Sequence, residues 1–282
     1  MDAQALQVGV GFRPQHIHHA LAVCESGWWW EAHPENYMVD GGPRLNALLQ
    51  LRQRQPLALH SVSLSLGGPH LPSPNHLARL HHLVQKTQPW MVSDHLAWSG
   101  LNGVYVPDLL PITRTTERLQ QIVRNIDCAQ QALGRTIALE NPSHYIDMAH
   151  ADEWSELDFL TELQRRTGCH LLLDLNNVAV SAHNLGFNAN DYVAQFPGHA
   201  VAEIHLAGYR IDPHWGEKLW VDSHDQPVSH SVWSLLKTFV QHFGERPVLI
   251  ERDDADAPWQ DLLQDHAIAQ SILRSKDHHA KC

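Results

Sequence analysis

Short apolar runs alternate with amphipathic stretches along this chain, and that alternation most narrows the folds open to it. The runs are QVGVGF (7–12), WWWEAH (28–33), LALHSV (57–62), WMVSDHLAW (90–98), TIALEN (136–141), HLLLDL (170–175), VAEIHLAG (201–208) and PVLIERD (247–253). Each is rich in β-formers or too short for a helix. Helical periodicity fills the intervals at 15–25, 43–54, 74–88, 113–134, 153–167, 189–196, 231–243 and 259–274. The 113–134 stretch has Thr113 or Thr115 as its N-cap and gathers Leu119, Ile122, Val123 and Ile126 on one face. Pro74 suits a first helical turn, and Gly168 and Gly244 stand just past two helix ends. Eight βα units in 282 residues predict an α/β fold, a single TIM (β/α)8 barrel over 1–275 with a flexible polar tail at 276–282. A doubly wound sheet is the alternative. The polar region 209–230 reads as a functional βα loop.

Charge then removes several functions. Asp and Glu number 31 against 20 Lys and Arg, a net charge of −11, which disfavours nucleic acid and acidic membrane surfaces as partners. Cys24, Cys128, Cys169 and Cys282 form no C-x-x-C pair, so neither a disulfide framework nor a zinc ribbon is expected. No apolar run approaches the ~18 residues of a membrane span. The first residues lack a basic region followed by an apolar one. The expectation is a reduced, cytoplasmic protein.

Histidine is over-represented, at 23 residues, and its placement matters more than its number. His60 lies in the third run, Asp94 and His95 in the fourth, and Glu140 and Asp174 near the ends of the fifth and sixth. Glu203 and His205 share a face of the seventh, and Glu251 and Asp253 a face of the eighth. Glu31, His33 and Glu35 follow the second. In a parallel barrel such strand ends converge on one face, where active sites of this fold sit. A lone buried histidine is more often a hydrogen-bonded core residue, and a lone aspartate often a helix cap. Those explanations would have to hold independently at six or more strand ends. Imidazole and carboxylate without thiolate point to zinc, iron or manganese. His60, His95, Glu140, Asp174, His183, His205, Asp222, His224 and Glu251 exceed the ligand needs of one ion, which implies two or three. The clusters His16–His18–His19, His81–His82 and His278–His279 read as solvated faces. Trp28, Trp29 and Trp30 read as packing between barrel and helices.

The motifs HSVSLSLGG (60–68), VSDHLAWSG (92–100), ENPSHY (140–145), LLLDLNNVAVSAHNLGFNA (171–189), EIHLAG (203–208), DSHDQPV (222–228) and ERDD (251–254) resemble a known family. It is that of the multinuclear non-haem iron-dependent oxidative enzymes, relatives of the methanobactin-biosynthesis oxidase. The resemblance implies a TIM barrel with two or three iron ions and O₂ as co-substrate. By motif, His60, His95 and Glu140 would hold one iron. Glu140 would bridge to a second, completed by Asp174, His205 and Glu251. Asn177, His183, Asp222 and His224 would frame a third position, with Asp94 supporting the ligands or touching substrate. The implied substrate is a cysteine-bearing, ribosomally made precursor peptide, presented by a small partner protein that binds its leader. Two positions depart from the family pattern: Tyr209 stands where many relatives carry histidine, and Ala179 where tyrosine is common. The residues also admit other functions. A metal-dependent sugar isomerase or epimerase and a zinc phosphodiesterase place the same side chains at strand ends, and a non-enzymatic metal-binding protein could hold them too.

Overall fold

Eight parallel strands close into a barrel in the computed structural model, in the order Val8–Gly11, Val248–Ile250, Val201–Leu206, His170–Asp174, Ala138–Glu140, Val92–His95, Leu57–Ser61 and Trp29–Ala32. Residues 6–23, 25–101, 104–148, 150–254 and 256–274 are described. The tail expected at 276–282, and with it His278, His279 and Cys282, lies outside the described residues, as does Cys24.

The chain runs β1 (Val8–Gly11), α1 (Ile17–Ala22), β2 (Trp29–Ala32), α2 (Pro43–Arg54), β3 (Leu57–Ser61), α3 (Pro74–Thr87) and β4 (Val92–His95). A hairpin of β5 (Trp98–Leu101) and β6 (Val104–Leu110) follows, then α4 (Thr116–Leu133), β7 (Ala138–Glu140), α5 (Glu156–Thr167), β8 (His170–Asp174), α6 (Leu175–Leu185) and α7 (Ala189–Gln195). β9 (Val201–Leu206), a second hairpin of β10 (Arg210–Asp212) and β11 (Gly216–Val221), α8 (His230–Phe243), β12 (Val248–Ile250) and α9 (Trp259–Arg274) complete it. Two compact units can be distinguished. The first is Met1–Glu31, Ser143–Ile146 and Leu173–Cys282, and the second Ala32–Pro142 and Asp147–Leu172.

In the first unit β1 pairs with β12 (Val8 opposite Val248) and with β2 (Gly9 opposite Trp29). β12 pairs with β9, which sets Leu249 opposite His205. Gly9 cannot carry a side chain, because a Cβ there would lie 2.4 Å from the Trp29 ring. In the second unit β3 pairs with β4 and β4 with β7, which sets His60 opposite Ser93 and His95 opposite Glu140. Every residue of β3, β4 and β7 is buried, as expected of parallel strands covered on both faces.

Local signals explain the helix ends. Thr115, not Thr113, caps α4 and accepts the Arg118 N–H at 3.2 Å, while Gly134 leaves the helix at φ 64°. Ser155 caps α5, and Gly168 ends it at φ 66°. Ser73 caps α3 ahead of Pro74. Buried Asn125 reaches from α4 to donate to Leu66 O at 2.8 Å and Gly68 O at 2.9 Å, which fixes the loop that follows β3.

The structure departs from the expected elements in three places. The run 90–98 is not one strand: β4 stops at His95, and Trp98 opens the β5–β6 hairpin. The region 209–230 contains the β10–β11 hairpin and is not a plain loop. Residues 175–185 form a helix, since the Asp174 carboxylate accepts the Asn177 N–H at 2.7 Å and starts a turn there. Among the histidines read as solvated, His16 is buried, because the turn Pro14–His16 carries its ring in against Trp259. Trp28, Trp29 and Trp30 are buried, as packing requires. No helix among the described residues is long and apolar enough to cross a membrane.

Candidate metal centre

In the second unit three side chains from three strands turn on one point. His60 Nε2 lies 3.1 Å from Glu140 Oε2, His95 Nε2 lies 3.2 Å from the same oxygen, and the two nitrogens are 3.2 Å apart. All three residues are buried. Two imidazole nitrogens and a carboxylate oxygen at these separations need a cation or shared protons between them. Donors bound to one ion at about 2.0–2.2 Å, and subtending about 90–110° at it, stand about 2.8–3.6 Å apart. The observed triangle fits that spacing. His60 Nδ1 sits 2.8 Å from Ser93 Oγ, a contact that orients the ring and leaves Nε2 for the centre.

Asp94 does not join the triangle. Its Oδ2 accepts the Leu64 N–H at 2.9 Å, and its Oδ1 accepts the His95 N–H at 2.6 Å. Both oxygens therefore tie the loop after β3 to the end of β4. Burial holds this carboxyl well above the usual range, with the negative Glu35 adding to the effect. Glu35 shows the opposite outcome. Burial would raise it, but contacts from His76, Ser61 and the Val62 N–H bring it down to about 2.

In the first unit the donors gather around β9 and β12. Asp174, His224 and Glu251 each present a ligand atom within 4.8 Å of the others. Glu251 Oε2 lies 3.3 Å from His224 Nδ1 and 3.3 Å from His205 Nδ1. The other face of His205 meets two further carboxylates, Glu31 Oε1 at 3.3 Å and Glu203 Oε1 at 3.4 Å. His224 Nε2 is 2.6 Å from Asp222 Oδ1, which also accepts Asn176 Nδ2–H at 2.7 Å. His224 adopts φ 50°, a strained value for a residue with a side chain. Its own N–H holds it there by donating to Gly208 O at 3.0 Å, and Asp253 N–H donates to its carbonyl at 2.6 Å. Gly208 permits this turn, since a Cβ would lie 2.3 Å from Pro227 O.

In this group carboxylates outnumber imidazoles. Burial would lower His205 and His224, but the facing carboxylates raise both well above the usual imidazole value. Burial raises Glu31, with Glu203 and Glu251 adding to it against the pull of His205. Burial opposes ionisation of Glu251 too, but His224 and His205 hold it well below the usual range. Buried carboxylates in this number call for positive charge. The donors are imidazole and carboxylate, which suits iron, zinc or manganese. Cys169 is far from such a role: it is buried, and burial pushes its thiol up to about 11.

Sequence reasoning and structure differ over two sets of residues. His183 lies apart from the group. It is exposed on α6, its Nε2–H donates to Glu217 O at 2.7 Å, and its ring stacks on Trp220 with centroids 3.9 Å apart. It lines a cavity of about 450 Å³ with Phe187, Trp220 and His230. Helical spacing explains this, since Asp174 caps α6 and His183 stands about two and a half turns on, on the opposite side of the helix. Asn177 is buried in the first turn of α6, but it is the neighbouring Asn176 that touches Asp222. Glu31 and Glu203, absent from the expected ligand set, are brought against His205. The period-2 pattern that puts Glu203 and His205 on one face was the signal for the second of them.

Comparison with known proteins finds relatives of the whole chain. Proteins described as UPF0276 are similar over most of their length: 46% identical over 268 residues in Caulobacter vibrioides (95% of each chain), and 49% over 255 residues in Caulobacter sp. strain K31 (90% of this chain, 91% of that one). A Rhizobium meliloti relative is 43% identical over 274 residues, 96% of this chain and 87% of that one. Among solved structures, endonuclease IV from Thermus thermophilus superposes with TM-score 0.60 at 14% identity, covering 95% of this chain and 98% of that one. An L-ribulose 3-epimerase does so with TM-score 0.60 at 12% identity, covering 98% of each. These structural likenesses carry the TIM-barrel fold alone. Residues 7–274 match RiPP precursor modification enzymes of the MbnB/TglH/ChrH type, and the chain belongs to that family.

Proposed function

We propose that this chain is an iron-dependent, O₂-using oxidase that modifies a cysteine of a ribosomally made precursor peptide. The observation that carries the reading is the donor set, buried except for half-buried His224: His60, His95 and Glu140 in one unit, and Asp174, His205, His224 and Glu251 in the other. Family membership supports a peptide substrate. Two to three iron ions are proposed, one in the first triangle and the others among the second group with Asp222.

Bound iron would supply one-electron redox chemistry together with positions for a thiolate and for O₂. The chain's own residues do the rest. Ser93 fixes the His60 ring, and Asp94 clamps the loop 61–64 to β4, so that His95 is held in place. Asp222 receives Asn176 on one side and holds His224 on the other, while its N–H donates to the Tyr145 hydroxyl at 3.0 Å. Rigid positioning of this kind is what a reaction between two bound partners requires. A small partner protein that binds the peptide leader completes the proposal.

The test begins with metal analysis of protein purified without added metal. Anaerobic loading with ferrous iron follows, then O₂ and a cysteine-bearing precursor peptide from the neighbouring genes. The expected result is iron in the protein and a mass change on a cysteine, lost in His60→Ala and Glu251→Gln. Zinc at full occupancy, with no mass change on any cysteine peptide, refutes the reading. The sugar-epimerase alternative is not favoured by the site. Arg252, the strand-end cation that could face sugar oxygens, is buried in a pair with Asp265 at 3.2 Å.

A further inference from the structure

A continuous run of aromatic rings in the first unit, outside the donor groups, leads from the candidate centre to the surface. Trp30 follows the strand face opposite Glu31, and it is covalently next to Glu31, whose carboxylate stands 3.3 Å from His205. Phe12 packs edge-on against Trp30 with centroids 6.1 Å apart. Trp30 lies 5.9 Å from Trp28 and 6.0 Å from Trp259, nearly parallel to the latter at 14°. Trp28 is 6.1 Å from Trp259, and exposed His19 stacks on Trp259 at 5.2 Å. Trp28 and Trp30 are buried, whereas Trp259 is half-exposed. The rings therefore lead outward from the candidate centre by two routes, one direct and one through Trp28.

Indole is among the most readily oxidised side chains. Electron tunnelling falls off exponentially with distance, so two short steps between neighbouring rings outrun one long step to the surface. An O₂-using iron centre with no peptide bound holds oxidising equivalents that would otherwise fall on its own ligands. We propose that Trp30, Trp28 and Trp259 form an electron relay that quenches the oxidised iron centre from the protein surface when no peptide is present. The relay rests on the oxidase reading given above.

Each event moves one electron inward. Trp30 gives an electron to the oxidised iron, which is reduced by one, and is refilled from Trp259 directly or through Trp28. The radical left on Trp259 takes an electron from a solution thiol or ascorbate, which is oxidised by one. The indole proton of an oxidised tryptophan passes to water and is regained when the ring is reduced, so no net bond change remains in the protein. When no reductant is added, the neutral Trp259 radical combines with superoxide, released as ferrous iron reduces O₂, and takes a proton from water, so that a hydroperoxide stays on the ring.

The test maps oxygen incorporation by peptide mass spectrometry in iron-loaded protein exposed to O₂ without peptide or reductant. Iron content and O₂ uptake are measured on the same sample. Trp215, 66% exposed on the β10–β11 hairpin, is the internal control for oxidants in solution. The expected result is oxidation of Trp259 several-fold above Trp215, reduced several-fold in Trp30→Phe. Trp259→Phe, a change at a half-exposed site, should instead trap oxidation on Trp28 and Trp30, and adding ascorbate should suppress all of it. Iron that consumes O₂ while Trp215 matches Trp259 overturns the relay and leaves the oxidase reading standing. So does unchanged Trp259 oxidation in a folded, iron-loaded Trp30→Phe, or no shift in Trp259→Phe. A protein that takes up no iron, or iron that consumes no O₂, overturns both.

Discussion

His266 offers a prediction whose magnitude can be worked from the structure. It is 5% exposed on α9, its ring stacks on Trp28 with centroids 3.8 Å apart, and its Nε2–H donates to Val8 O at 3.2 Å. Burial lowers its pKa from 6.5 to about 4, against the pull of the Val8 carbonyl. The folded state therefore keeps the ring neutral where the unfolded chain already binds a proton. Its contribution to stability is complete above pH 6.5 and is lost as pH falls to about 4. At about 1.4 kcal/mol per pH unit, the loss amounts to about 3 kcal/mol. His266→Phe keeps a ring on Trp28 but gives up the bond to Val8 O, about 1 kcal/mol at neutral pH. Urea unfolding at pH 7.5 should find the variant the weaker by about that amount. At pH 4 the order should reverse, with the variant the more stable by about 2 kcal/mol. Other groups titrate in both proteins and cancel in the difference. A gap between the two that does not change with pH would refute the reasoning.

Three further outcomes follow from the geometry. Arg252→Met strands the Asp265 carboxylate, 5% exposed, and should cost about 3–5 kcal/mol in urea unfolding; adding Asp265→Asn should recover part of it. Gly9→Ala drives a Cβ into the Trp29 ring at 2.4 Å and should lower stability by about 1–3 kcal/mol, read from the thermal midpoint. His60→Ala should lose one equivalent of metal by elemental analysis while His183→Ala keeps the full complement; equal loss in both would return His183 to the centre.

The barrel was legible because its strands are buried on both faces and so appear as unbroken apolar runs punctuated by histidine and carboxylate. The same property hid the first hairpin, since WMVSDHLAW is apolar on both sides of the bend after His95, and no Gly or Pro marks the turn. α6 was missed for a related reason. Its Val-Ala-Val stretch has strand character, and the fully buried first two turns leave no polar face to reveal the period. The site was legible residue by residue where one strand end carries one donor, as at His60, His95 and Glu140. It was less so where chemistry depends on pairs of strands, as at Glu31 against His205, because the register that joins them is set by the β1–β2 and β1–β12 pairings and not by local spacing.

The pairing of Val8 with Val248 has a consequence for how the protein is made. A strand near the start of the chain has no permanent partner on one edge until some 240 residues later have left the ribosome, as read from that register. Contacts of such long sequence separation form slowly, and an open edge is a site for mispairing in the meantime. Glu251 emerges just after Val248. The candidate donor group of the first unit is therefore completed only with barrel closure, so a metal ion bound there would be taken up by the finished polypeptide and not by the nascent chain.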